Sequence, residues 1–511
     1  MSTIAPYRPA VAGHTGFAQL VHAEWTKFRT VRGWLIGLFV AALLMVLLGV
    51  FTASGSHAGI CINNKCTGMP PLLLGPEGGP VNDDFTFVHQ PLAGNGSITV
   101  RVTSLTGSYS SHGGVPVGAG QATLPQKGTQ PWSKAGIIIK QNTKQGSAYA
   151  AVMLTGTHGV RMQYNYTHDI AGPSGRWLRL ARSGNVLTGY VSTDGSHWTT
   201  IGTTHLTGLT GTVQAGLFAA SPDHSVTKTH LGGVQNTGGP SQAAGTFDHL
   251  SLTGGQPHQP WAPTAVGSGG FEGYHHTGGT VTVSGSGDIA PDVQSGETID
   301  KILVGAFAGL IALVVVGTMF IAAEYRRGLI RITLAANPRR GRVLAAKALV
   351  VGAAAFVVGA IAGLIAIPIA EPILRHNGNR MYPASTLTDL RVILGTAALL
   401  AVASIAALAV GTMLRRSAGA ITAVIAAIVL PYILATASLI PTGAAQWLLR
   451  LTPAAAFAIQ QVRPAYHQVT ATYLPGDGYY PLAPWAGFAV LCGYTAIALG
   501  AAVVLLRRRD A

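Results

Sequence analysis

Six long apolar runs constrain this chain more than any other feature of its sequence. An α-helix rises about 1.5 Å per residue, so a run of roughly 20 residues crosses the ~30 Å hydrocarbon core of a membrane. The first run lies further from the N-terminus than the core of a signal peptide usually does, and we expect it to be retained. The sequence therefore predicts a polytopic α-helical membrane protein with six transmembrane helices, at residues 34–51, 302–323, 348–370, 392–414, 418–440 and 485–506.

The distribution of Lys and Arg predicts the orientation of these helices. Sixteen of these residues fall on one side of the membrane: in residues 1–33, 324–347, 415–416 and 507–509. Five fall in the short loops on the other side. Because basic loops stay in the cytoplasm, we expect both termini to be cytoplasmic and residues 52–299 to lie outside the cell membrane. Residues 52–301 hold twelve basic and twelve acidic residues. The net charge of +15 therefore belongs to the ends of the apolar runs, which argues against a nucleic-acid-binding face.

Residues 1–33 are predicted to form a cytoplasmic tail and an interfacial elbow helix. Apolar residues recur at helical spacing from Phe17 to Val31, with Glu24, Lys27 and Arg29 between them. This pattern suits a helix that lies along the inner face of the membrane. An ordinary surface helix is the alternative.

Residues 52–299 contain no apolar run of this length and show β-strand patterns instead. Short runs such as Ile98, Val100 and Val102 alternate with polar residues, and turn sequences such as Asp194-Gly195 separate them. We predict a large all-β sandwich at about 83–253, inserted between the first and second helices, and a flexible linker at about 254–299. Three stretches resemble the concanavalin-like (laminin-G-like) sandwich domains: WSKAGIIIK (132–140), RWLRLARSGNVLTGYVSTDGSHWTTIG (176–202) and VQAGLFAAS (213–221).

That resemblance implies a possible extracellular glycan ligand, and some relatives of the fold are enzymes. No pair of carboxylates stands out as a glycosidase pair, so an enzyme acting on glycans is disfavoured. Thirteen histidines are scattered through the segment without the spacing of metal ligands. We therefore expect no catalytic residues, no metal and no cofactor in this chain.

Cys61 and Cys66 lie close together in a polar stretch, GICINNKCTG. If this stretch is extracellular, the oxidising environment favours a disulfide between them. Two free thiols are the alternative. Cys492 lies in an apolar run, where a thiol is usually inert.

The most basic connection is residues 324–347, EYRRGLIRITLAANPRRGRVLAAK, with seven Lys or Arg and one acid. Tyr325, Leu329 and Ile332 follow helical spacing, and Asn337-Pro338 is a stop signal. We predict a short amphipathic helix over 324–337, a break, and a basic entry into the next apolar run. This segment has two interpretations. In the first, it does no more than fix topology and touch anionic lipid. In the second, it docks into a groove of a soluble partner.

The membrane part resembles the permease subunits of ABC transporters, in the exporter class with six helices per subunit. The residues that carry the resemblance are EWTKFRTVRGW (24–34), EYRRGLI with the later NPRRGR (324–342), ALAVGTMLRRSAGAI (407–421) and LTPAAAFAI (451–459). They cover residues 15–51 and 300–511. In that family the first inner loop contacts the ATPase, so the resemblance implies that coupling involves Glu324, Arg327, Gly328, Arg331, Pro338 and Arg340.

The sequence lacks the phosphate-binding motif G-x-x-x-x-G-K-[ST], because it contains no Gly-Lys dipeptide. The resemblance therefore implies a separate ABC ATP-binding subunit that uses the ATP, and a second permease copy, identical or related, within the lipid membrane. The alternative is a multi-span membrane protein that presents a glycan-binding or sensing sandwich and transports nothing. Six helices are more than an anchor needs, which favours the permease.

Overall fold

The structure is a computed structural model that describes residues 16–62, 65–110, 126–230, 233–255, 259–267, 273–336, 339–471 and 473–508. The chain divides into two compact units. The helical unit comprises Met1–Met69, Glu297–Arg463 and Tyr473–Ala511. The β unit comprises Pro70–Gly296 and Pro464–Thr472.

Six helices of the described residues are long and apolar enough to cross a membrane, which confirms the predicted number and order. They are α2, the continuous stretch of α3 and α4, and then α6, α7, α8 and α10. The helices run over α1 (Phe17–Thr30), α2 (Arg32–Gly55), α3 (Ile299–Ile302), α4 (Ala306–Arg326), α5 (Leu329–Ala336), α6 (Arg340–His376), α7 (Thr386–Leu414), α8 (Ser417–Thr436), α9 (Thr442–Leu451) and α10 (Pro484–Arg508). Short 3₁₀ turns cover Leu303–Gly305, Pro453–Gln460 and Pro475–Asp477.

Several helices extend beyond the apolar runs that predicted them. The helix predicted at 348–370 begins at Arg340 and ends at His376, and the one predicted at 392–414 begins at Thr386. Polar residues in the first and last turns continue the backbone hydrogen bonds but interrupt the apolar pattern. The helix predicted at 418–440 ends earlier, at Thr436.

Close backbone approach holds the first two spans together. A Cβ atom on Gly305 would collide with the backbone oxygen of Met45, and a Cβ atom on Gly49 would lie 2.5 Å from the backbone oxygen of Ile302. Small residues at such crossings allow the dense packing on which membrane helices depend.

The β unit is built around one large antiparallel sheet. Strand β4 is 25 residues long and pairs with five other strands. The strands are β1 (Ile60–Ile62), β2 (Lys65–Thr67), β3 (Val81–Asp83), β4 (Phe85–Tyr109), β5 (Gln126–Lys127), β6 (Lys134–Lys140), β7 (Tyr149–Thr155), β8 (Val160–Tyr164), β9 (His168–Ala171), β10 (Trp177–Ser183), β11 (Val186–Ser192), β12 (Thr199–His205), β13 (Thr212–Ala220), β14 (His224–His230), β15 (Gly233–Gly239), β16 (Ser241–Gly255), β17 (Ala262–Val266), β18 (Gly273–Thr277), β19 (Thr280–Gly285) and β20 (Ile289–Pro291). Strands β1 and β2 form a separate hairpin in the helical unit.

The sheet folds back on itself to enclose its core. Its main path runs β12-β11-β10-β4-β13-β6-β7-β8-β9. Although β11 does not pair with β7, the two strands are in contact, and β12 likewise contacts β8 and β9. Buried aliphatic residues fill the space between these layers, among them Val152, Met162, Leu180 and Leu187.

The prediction of a flexible linker over 254–299 is wrong for the described residues. This segment carries strands β17, β18, β19 and β20: β17 pairs with β4, β19 with β16, β20 with β3, and β18 with β19. Val281 and Val283 of β19 enter the buried core. The frequent Gly, Ser and His residues concealed the short alternating pattern at Thr280–Gly285.

A second departure concerns the connection before the last span, because Pro464–Thr472 belongs to the β unit. The side-chain amide of Gln468 donates to the backbone oxygens of Tyr166 and Thr167, at 3.2 and 2.9 Å. The β unit is therefore built from two separate parts of the chain.

A buried ion pair holds strand β3 to the sheet. Lys140 Nζ lies 2.7 Å from Asp83 Oδ2 and 3.1 Å from the Tyr166 hydroxyl, and both charged side chains are fully buried. Burial lowers the pKa of Lys140, and the charge of Asp83 opposes that shift. Lys134 makes a similar contact with Asp288, at 2.6 Å.

We expect Asp83→Asn to loosen the β unit far more than Asp248→Asn does. Asp248 pairs with the half-exposed Arg101, whereas Asp83 neutralises a fully buried ammonium. Removing one partner of a buried pair costs about 3–5 kcal/mol, against about 0–1 kcal/mol for a surface pair. Hydrogen–deuterium exchange of β6 peptides measures the difference. Equal exchange in the two variants would contradict this role of the buried pair.

Candidate functional site

The connection between the second and third spans is shorter than predicted. Helix α4 ends at Arg326, α5 covers Leu329–Ala336, and α6 begins at Arg340. Glu324 therefore lies in the last turn of a spanning helix and not on the loop helix predicted over 324–337. The prediction failed because Glu324-Tyr325-Arg326 is polar but still continues the α4 backbone.

Gly328 makes the turn between α4 and α5. Its φ angle is +68°, a left-handed conformation that glycine adopts without steric cost. Its N–H donates to the Tyr325 oxygen at 3.2 Å, as in a helix-ending turn. No atom of the described residues lies within 4 Å of the position a Cβ would take, so the backbone conformation and not crowding favours glycine here.

Helix α5 has two distinct faces. Ile330 and Leu334 are buried in a cluster that includes residues of α4, α6 and α10. Ile332 and Leu329 are 68% and 44% exposed. Arg331 is also exposed on α5, and Arg327 is exposed in the turn before it. The outer face therefore combines aliphatic side chains with guanidinium groups, while the inner face fixes the helix to the spans.

A group of four charged side chains lies beside this loop: Glu24, Lys27, Glu324 and Lys347. Glu24, Glu324 and Lys347 are buried and Lys27 is 45% exposed, and we call the group the buried charge cluster. Lys347 Nζ donates to Glu24 Oε2 and to Glu324 Oε1, each at 2.6 Å. Lys27 Nζ lies 3.0 Å from Glu24 Oε1 and 3.7 Å from Glu324 Oε1. The two carboxylates and two ammonium groups balance, and they join α1, α4 and α6.

Aromatic rings pack on the Lys347 side of the cluster. Lys347 is fully buried, and its Nζ lies 4.8 Å from the centroid of the Phe320 ring. Phe28 and Trp34 pack edge-on against Phe320, at centroid distances of 5.3 and 6.1 Å. These rings exclude water and lower the local dielectric, which strengthens each attraction and also makes an unpaired charge costly.

The remaining residues predicted for coupling and for the disulfide lie away from the buried charge cluster or outside the described residues. Arg340 donates to the backbone oxygen of Leu506 and so joins α6 to α10. Pro338 lies outside the described residues. Cys61 and Cys66 are opposite one another in the β1–β2 hairpin, and their side chains lie outside the description.

Sequence reasoning missed Glu24 and Lys347 as functional candidates. They are 323 positions apart; in the sequence, Glu24 belongs to the helical pattern and the family resemblance, and Lys347 to the basic connection. A signal was present in α1, where Glu24 falls three residues after Val21 and four before Phe28. A carboxylate on the apolar face of a helix requires a buried cation.

A comparison with known protein families matches residues 104–511 to the family described as ABC-2 family transporter protein. The chain belongs to the ABC-2 transporter family. It is therefore a multi-pass membrane permease of an ABC transporter, a transport component that works with an ABC ATP-binding partner. The match begins inside β4 and includes five of the six spans.

No curated protein sequence matches this ABC-2 permease. Among solved structures, a functionally unknown protein from Saccharomyces cerevisiae is 15% identical and has a TM-score of 0.19. The alignment covers 36% of this chain and 82% of that one. SCP-B, a member of the Eqolisin family of peptidases solved with a tripeptide, is 6% identical with a TM-score of 0.23, over 40% of this chain and 98% of that one. Neither score is high enough to indicate a shared fold.

We expect Lys347→Met to destabilise this ABC-2 permease far more than Lys301→Met. The first variant leaves Glu24 and Glu324 facing each other without their buried cation, at a cost of about 3–5 kcal/mol. Lys301 is half exposed and pairs with Glu297 one helical turn away, so its loss costs about 0–1 kcal/mol. Thermal unfolding of the detergent-solubilised protein compares the two.

The combined variant Glu24→Gln, Glu324→Gln, Lys347→Met tests the cause, since it removes the uncompensated charges. It should be more stable than Lys347→Met alone. If the combined variant is no more stable, lost packing rather than charge explains the effect.

Proposed function

We propose that this chain is the permease subunit of an ATP-driven exporter, coupled to its separate ATPase subunit through α5 and the turn before it. The observation that carries the proposal is the two-faced structure of α5. Its inner face is packed against the spans, and its outer face presents Arg327, Arg331, Leu329 and Ile332. An amphipathic helix of this kind fits a groove with an apolar floor and an acidic rim.

The buried charge cluster would carry movement of α5 into the membrane. Only Arg327 and Gly328 separate α4 from α5, so displacement of α5 acts directly on the inner end of α4. Glu324 in that last turn is hydrogen-bonded to Lys347 of α6, which also binds Glu24 of α1. Three helices would thus move as one body when the ATPase closes.

The orientation of the chain in the membrane is part of the proposal. The excess of Lys and Arg in residues 324–347, at Arg415-Arg416 and at Arg507-Arg508 supports cytoplasmic termini and an extracellular β unit. Six spans make half of a usual pathway, which supports a second permease copy beside this one. A glycan ligand for the β unit stays a prediction from the sequence resemblance.

An extracellular hairpin would also support the Cys61–Cys66 disulfide. The antiparallel register places the two residues directly opposite each other. Cβ atoms at such positions are ~4.5–5.5 Å apart, a separation that small side-chain and backbone adjustments close to disulfide distance.

We expect Arg327→Glu with Arg331→Glu to weaken binding of the ATPase subunit by about tenfold or more, because charged contacts at an interface each contribute roughly 1.5–3 kcal/mol. Co-purification of the ATPase with the tagged permease measures the loss. The control is Arg416→Glu with Arg508→Glu, which makes the same change of charge at two other exposed inner positions.

Normal transport and co-purification in the α5 variant would contradict the coupling role. Equal losses in both variants would show that the arginines act only through topology or lipid. Absence of any ATPase from the gently purified wild-type complex would contradict the proposed function itself.

The proposed Cys61–Cys66 disulfide would limit the number of thiols that react with a labelling reagent. Protein purified without reductant and unfolded in denaturant should label at one cysteine, Cys492, with a maleimide reagent. Prior reduction should raise the number to three, because Cys61 and Cys66 become available. Three labelled cysteines before reduction would show that the pair is not oxidised.

A further inference from the structure

A cavity of about 450 Å³ lies within the helical unit, at the ends of the spans opposite the buried charge cluster. It is lined by residues of α2, α3, α4 and α8 and by both 3₁₀ turns that precede α10. Its volume is within the range of sites that bind drug-sized molecules. None of the coupling residues lines it.

Aromatic side chains form much of the cavity wall. Phe307, Tyr432, Phe457 and Tyr480 all line it. The ring of Tyr432 lies 4.1 Å from that of Phe457 and 5.4 Å from that of Phe307, measured between centroids. These rings are contributed by α4, α8, the 3₁₀ turn Pro453–Gln460 and the segment before α10. They are brought together only by the fold.

One carboxylate, that of Asp300, lines the same cavity. Burial raises the pKa of Tyr480, with smaller contributions from Tyr432 and then Asp300, both of which also line the cavity. Two cations, Lys301 and Arg463, act electrostatically on Asp300, and each of them also has another partner. Lys301 also lines the cavity, but its Nζ lies 2.7 Å from Glu297 Oε2. The Arg463 guanidinium lies over the Tyr382 ring, 5.1 Å from its centroid, and is not part of the lining.

Aromatic faces and a carboxylate together favour one class of ligand. The π faces attract a cation, most strongly where water is excluded, and a carboxylate supplies the balancing charge. An anion would meet both Asp300 and the negative ring faces. A neutral apolar molecule would leave Asp300 facing an apolar group.

We propose that this cavity binds a hydrophobic organic cation, with the charged centre near Asp300 and apolar groups against the Phe307, Tyr432 and Phe457 rings. The proposal rests on the proposed function and names the substrate class of the exporter. The polar side chain of Gln460, held by a 3.0 Å hydrogen bond to Thr396, supplies a fixed polar contact on the same wall.

The experiment measures equilibrium binding of radiolabelled tetraphenylphosphonium to the purified transporter complex in lipid nanodiscs, with empty nanodiscs subtracted. Tetraphenylborate has the same shape and the opposite charge, so it separates charge recognition from apolar partitioning. The variants are Asp300→Asn and Phe457→Ala. The matched control is Asp477→Asn, an exposed carboxylate in the turn Pro475–Asp477 that does not line the cavity.

We expect saturable binding of the cation, weakened about tenfold or more by Asp300→Asn and by Phe457→Ala, and unchanged by Asp477→Asn. Equal binding of tetraphenylborate, or full affinity in Asp300→Asn, would overturn the proposal. ATPase co-purification is scored on the same samples. If the ATPase is present and the cation does not bind, the cavity proposal fails alone. If the cation binds and no ATPase is present, the exporter function fails instead.

Discussion

A single ammonium group between two carboxylates joins three helices, α1, α4 and α6, at one end of the helical unit. Lys347 is fully buried, and it has both Glu24 and Glu324 within 2.6 Å. A buried charge is tolerated only when its partners are correctly placed, since removing one partner costs several kcal/mol. The positions of α1, α4 and α6 are therefore interdependent. None of these helices can shift alone at this level without separating charges in a medium of low dielectric.

If α5 docks on the ATPase subunit as proposed, this dependence would let a short helix move a large membrane domain. Helix α5 has only eight residues and would be marginal in isolation. It is stabilised because Ile330 and Leu334 pack into the apolar cluster beneath it, and because the Gly328 turn fixes its direction relative to α4. Close-packed aliphatic contacts transmit strain, and a hydrogen-bonded ion pair adds one preferred geometry. A packed helix beside an ion-pair cluster of fixed geometry suits a segment that transmits displacement to the spans.

The sequence predicted the features that depend on local patterns and failed where distant residues meet. Apolar runs revealed six spans, since a run of about 20 residues is itself the physical requirement for crossing a membrane. Alternation and turn residues revealed the β unit, but β18 and β19 are short strands within a stretch rich in Gly, Ser and His, so the sequence predicts a linker there. The pairing of Glu24 with Lys347 and the grouping of Phe307, Tyr432 and Phe457 arise only from tertiary packing.

One helix connects the two regions that the proposals concern. Glu324, in the last turn of α4, belongs to the buried charge cluster, and Phe307, in its first turn, lines the cavity. The 17 positions between them correspond to about 26 Å of continuous helix. The 3₁₀ turn Leu303–Gly305 interrupts regular helix just before α4, so the backbone can bend there without breaking α4 itself. A tilt imposed at Glu324 would therefore displace Phe307 relative to Tyr432 and Phe457, which belong to other elements. The same rigid helix would turn closure of an ATPase on one side into a change of cavity shape on the other.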